Sequence, residues 1–118
     1  MKIYISGPMT GIENYNAEAF NAAEKKINEL IPSAEVVNPI KLAKKVEFLI
    51  QNPTYGDYMC EDLIHLVKCD MVVCLEGFEK SKGCEIEICI AEKSGIPVCR
   101  DINTISKWKA NDKQMTSK

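Results

Sequence analysis

The chain has 118 residues, 46% hydrophobic and 27% charged, with a formal net charge of −2. That length makes one domain around a single core, and the interspersed signs leave no basic stripe for a nucleic-acid partner. No apolar run is long enough to cross a bilayer and no signal peptide stands at Met1, so the expected setting is cytoplasmic, with no membrane partner.

Ile3-Tyr4-Ile5 reads as the first strand, ended by Gly7-Pro8-Met9-Thr10-Gly11, a loop too rich in glycine and proline to extend it. From Asn16 to Leu30, apolar residues recur at helical spacing through Ala19, Phe20, Ala23, Ile27 and Leu30, and Pro32 closes the helix. Val36-Val37 is a brief second strand stopped by Asn38-Pro39, beyond which Leu42 to Ile50 has helical character without a marked start. A helix from about Tyr55 to Lys68 leads into Met71 to Leu75, whose unbroken apolar character suits a parallel strand covered on both faces. The loop Glu76 to Lys82 comes next, followed by a helix from Gly83 to Ser94 and a strand from Ile96 to Cys99.

Strand–helix alternation predicts an α/β fold: a single-domain Rossmann-like (flavodoxin-like) parallel sheet of four to five strands, with helices on both faces. The core spans about residues 2–99, and 100–118 is a partly flexible extension carrying Lys107, Lys109, Lys113 and Lys118. Ligands of such sheets bind at the carboxyl ends of the strands, where the loops Gly7 to Gly11, Asn38-Pro39 and Gly77 to Gly83 converge. The candidate substrate-binding residues are therefore Gly7, Pro8, Met9, Asn38, Phe78, Ser81 and Gly83. Ser81 reads first as a plain helix cap. Cysteines at 60, 69, 74, 84, 89 and 99 fall within apolar patterns and read as reduced core residues. Cys84 and Cys89 lack metal-ligand spacing, and no metal or cofactor is expected.

Glu87 stands out. Its helical neighbours are Gly83, Cys84, Ile90 and Ala91, none charged, so it lies on the face that should pack against the domain. It reads as a nucleophile or acid–base carboxylate, or as a partly buried glutamate satisfied by a backbone amide. Asp62 is alike: Tyr58, Met59, His65 and Leu66 surround it without a lysine or arginine. At a cleft rim it could exchange a proton with a heterocyclic nitrogen, or it could simply be exposed. His65 should point away from the strand edge. Tyr4 either aims its hydroxyl at the cleft floor or fills core.

The segments Ile3 to Gly11, Asp62 through Cys69-Asp70-Met71-Val72-Val73, and Ser81-x-Gly83-x-x-x-Glu87 together resemble the nucleoside 2-deoxyribosyltransferase superfamily, which also contains the 2'-deoxynucleoside 5'-monophosphate N-glycosidases. The likeness covers roughly residues 2 to 99 and is greatest to a small bacterial and phage branch with Gly-Pro-Met-Thr-Gly and Val-Asn-Pro segments. It implies that Glu87 is the nucleophile, Asp62 the carboxylate serving the base, Tyr4 the hydroxyl orienting the nucleophile, and Ser81 a ligand for the sugar 5' end. Pro8 and Thr10 stand where the monophosphate hydrolases carry polar or basic residues, so nucleoside and 5'-monophosphate substrates both stay open. The expected function is transfer or hydrolysis at the N-glycosidic bond, in a homodimer or higher homo-oligomer whose neighbouring subunit completes the cleft. Met9, Tyr55, Tyr58 and Phe78 are candidate walls, and Met59, Leu63 and Leu66 are subunit contacts or core. A nucleotide-binding module without turnover is the alternative, and a structural subunit would leave Glu87 and Asp62 unexplained.

Overall fold

Helical and extended segments alternate as their apolar periods require. In the computed structural model, which describes residues 1–108, they are β1 (Lys2–Ser6), α1 (Ala17–Leu30), β2 (Glu35–Val37), α2 (Pro39–Leu49), α3 (Tyr55–Leu66), β3 (Met71–Cys74), α4 (Lys82–Lys93) and β4 (Val98–Cys99). The four strands form one parallel sheet in the order β2-β1-β3-β4. The expected extension lies partly outside the described residues, as do Lys109, Lys113 and Lys118.

The period of two along each strand divides the core. Ile3, Ile5, Met71 and Val73 face Phe20, Ala23 and Ile27 of α1 together with Ile105. Tyr4, Val72 and Cys74 face the opposite way, toward Leu66 of α3 and Ala91 of α4. The chain passes from β1 to β2 on one side and later returns to β3 on the other, so the order reverses between β1 and β3, where such sheets open a crevice at their carboxyl edge. The two strand ends stay joined there: the Leu75 amide donates to the Ser6 carbonyl at 2.8 Å.

Three expectations change in detail. The helix after β2 starts at Pro39, not Leu42, because Asn38 both stops the strand and caps the helix. Its side chain accepts from the Ile40 amide at 3.0 Å, and proline suits the first helical position. The last strand is shorter than Ile96 to Cys99, since the Ile96 amide is used to close α4 on the Ala91 carbonyl at 2.8 Å and Pro97 has no N–H to give. The cysteines are all free, but Cys60 and Cys89 are exposed on the outer faces of their helices and only Cys69, Cys74, Cys84 and Cys99 are buried.

No helix among the described residues is long and apolar enough to cross a membrane.

Candidate active site

Helix α4 rises from the crevice. Ser81 starts it as N-cap, its hydroxyl accepting from the Cys84 amide at 3.2 Å. One turn in, Glu87 turns toward the sheet and is 5% exposed. What meets it is set by strand alternation: Tyr4 and Ser6 lie two apart on β1, hence on the same face, and both are fully buried. Tyr4 Oη donates to Glu87 Oε2 at 2.5 Å and Ser6 Oγ donates to Oε1 at 2.7 Å. The partners of Glu87 are thus two side-chain hydroxyls and not a nearby backbone amide. Ser6 was not among the residues singled out from the sequence. Its signal is only the shared parity with Tyr4.

Burial pushes the Glu87 carboxyl above its usual range, and the bonds from Tyr4 and Ser6 pull against that rise. The Tyr4 phenol is held well above its ordinary value, by burial first and then by the charges of Glu87 and Asp62, so it stays a donor. Asp62, partly buried on α3, is pushed up to about 8 by burial, then by Glu87 and Glu61. Asp62, at about 8, thus keeps a proton at neutral pH beside a buried Glu87 that two hydroxyl donors hold.

A cleft of about 990 Å³ opens beside this pair, between the loop after β1 and the loop after β3. Of the expected substrate-binding residues, Pro8, Met9, Ser81 and Gly83 line it. Glu87, Asp62 and Tyr4 do not. The carboxylate lies one turn along α4 from Gly83, and the two regions meet at Ser81, Gly83 and Tyr55. A Cβ on Gly83 would stand 3.2 Å from Tyr55 Oη and 3.7 Å from Met59 Cε, so the absent side chain lets α3 close over the start of α4. The Tyr55 phenol, which lines the cleft, is raised by burial and by the charges of Glu87 and Asp62.

The other expected ligands have different work. Gly7 backs onto Leu75, whose Cδ1 would lie 2.6 Å from a Cβ there, so glycine is required by packing. Asn38 is buried, capping α2 and donating from Nδ2 to Asn21 Oδ1 at 2.9 Å and Glu24 Oε1 at 3.0 Å; it ties helices together and does not reach the cleft. Phe78 packs on the α3–α4 side of the core. Tyr58 donates to Glu47 at 3.1 Å, away from the lining, and His65 pairs with Glu61 at 3.2 Å. Asn16, not anticipated, does line the cleft. It closes a left-handed turn with Asn14 and Tyr15, at φ values of 52°, 53° and 66° through residues 14, 15 and 16, a backbone that residues other than glycine seldom adopt. Its Nδ2 holds the Pro8 carbonyl at 2.9 Å, fixing the loop after β1 against the start of α1.

No cluster of metal-ligating side chains occurs among the described residues. Comparison with curated proteins gives no match, and neither does comparison with solved structures. The sequence profile of one family matches residues 1–100, and the chain belongs to that family, the Domain of unknown function (DUF4406).

Proposed function

We propose that this protein cleaves the N-glycosidic bond of a nucleoside or nucleotide, by transfer or hydrolysis, through a covalent glycosyl ester on Glu87. The observation that supports it best is a pair of carboxyls beside a cleft: Glu87 buried between two hydroxyl donors, and Asp62 pushed up to about 8. In the first step Glu87 attacks the anomeric carbon, the C1'–N bond breaks, and its electron pair leaves on the base, which takes the proton of Asp62. In the second step water or another base attacks the same carbon, Asp62 takes back a proton, and Glu87 is released, as in retaining glycosidases. Tyr4 holds Oε2 in place throughout. The resemblance to the nucleoside 2-deoxyribosyltransferase superfamily agrees with these roles and adds Ser81, which caps α4 and lines the cleft, at the sugar 5' end.

The second reading is a nucleotide-binding module without turnover, and one observation favours it: the carboxyl pair lies beside the cleft lining and not on it. Incubation of the purified protein with a panel of nucleosides and nucleotides, followed by chromatography for free base, separates the two. Release of base from at least one substrate is expected. Tight binding throughout the panel with no base released would leave the binding module as the function.

We further propose a homo-oligomer built on dimers. Of the apolar residues offered for this from the sequence, Leu66 is core, Leu63 packs against it, and Met59 is half-buried. The support comes from the cleft rim, where Ile12, Tyr55 and Ile86 line the opening and are nonetheless 40%, 58% and 39% exposed. A neighbouring subunit covering them would exclude water, which transfer to any acceptor other than water requires. Sedimentation velocity is expected to show a dimer or larger species, and a fully active strict monomer would remove the shared-cleft idea.

A further inference from the structure

The Glu87 carboxylate takes one donor on each oxygen, and both come from the same strand, Tyr4 on Oε2 and Ser6 on Oε1. The groups facing it are Tyr4 from β1, Cys74 from β3, Asp62 and Tyr55 from α3, and Cys84 from its own helix. None is a cation. Donor hydroxyls are therefore what oppose the desolvation of a carboxylate that is 5% exposed. With the phenol alone, the carboxylate would keep freedom to swing about Oε2. A second donor on the second oxygen fixes its plane.

We propose that Ser6 is a positioning residue for Glu87: its hydroxyl clamps Oε1 at 2.7 Å, sets the plane of the carboxylate and holds it in the ionised form that attacks an anomeric carbon. This assignment rests on the reading of Glu87 as nucleophile. Ser6 is delivered by β1 itself, two residues beyond Tyr4 and in register with Cys74 of β3, so clamp and phenol move together with the sheet. Its hydroxyl also meets the Cys84 thiol, which has the Ser81 hydroxyl as another partner. Removing the Ser6 hydroxyl thus costs Glu87 a donor and leaves Cys84 one.

The test is a carbon-13 NMR titration of glutamate carboxyls, with the Glu87 signal assigned by its loss in Glu87→Gln. Ser6→Ala is expected to move the Glu87 titration upward by about one pH unit, the effect of one lost hydrogen bond to a charged group. Ser6→Cys leaves no void and keeps a weaker donor, so it should move the titration less in the same direction, which also covers the case in which the alanine variant does not fold. Where a substrate is cleaved, the acid limb of kcat/KM should shift by the same amount. A folded Ser6→Ala or Ser6→Cys protein whose Glu87 titrates as in the unaltered chain overturns the proposal. The titration needs no turnover, so a shifted Glu87 in a protein that cleaves nothing sustains the clamp while the N-glycosidic reading falls.

Discussion

Glu87→Gln is expected to lower the release of free base by roughly 10⁴-fold or more while leaving the protein folded. The amide fills the same space between Tyr4 and Ser6 but has no charge with which to attack carbon. The same change should make the fold more resistant to denaturant at neutral pH. Burial holds the Glu87 carboxyl above its usual range, so the folded state binds that proton more tightly than the unfolded chain does, and the stability this contributes is present at low pH and is lost as pH rises through the raised value. A glutamine there carries no such cost. Glu85→Gln is the control: Glu85 is exposed, on another side of α4, and should change neither property appreciably. Chromatographic assay and urea unfolding of the variants decide the matter, and a Glu87→Gln protein with full activity would end the covalent mechanism.

Asp62→Asn should cost about 10²–10⁴-fold on bases that leave poorly and much less on activated leaving groups, because what it loses is the proton given to the departing base. With Asp62 pushed up to about 8, activity should decline on the alkaline side around that pH, and the variant should lack that limb. The sign for stability follows in the same way. Asp62 ionises near 3.8 when unfolded and near 8 when folded, so stability falls as pH rises across that window and levels off above it. Asp62→Asn should flatten the decline, read as urea midpoints at mildly acidic and mildly alkaline pH. Equal rate losses on natural and activated substrates would show that Asp62 orients the substrate and does not protonate the base.

Sequence periodicity alone locates β3, because Met71 to Cys74 is apolar at every position, and it identifies the odd carboxylates, because Glu87 and Asp62 sit on helix faces without a cation to pair with. Those signals are local: each depends on neighbours within a turn or a strand length. The Asn38-Pro39 pair was legible too, but a strand stop and a helix start use the same two residues, so one reading hid the other.

Other features depend on contacts far apart in the chain and have no local signature. Ser6 is an ordinary strand serine until the β1–β3 register and the packing of α4 bring Glu87 to its hydroxyl, 81 residues away in sequence. Asn38 lies at the strand edge, where a ligand would be expected, yet Asn21 and Glu24 of α1 take up its side chain. The proton on Asp62 likewise belongs to the tertiary structure: α3 must lie against α4 before burial and the Glu87 charge can hold it there. Sequence thus determined which groups are chemically out of place, through periodicities of two and 3.6 residues. Only the fold decided which of them meet, because hydrogen bonds and desolvation depend on distances that the spacing of residues along the chain does not specify.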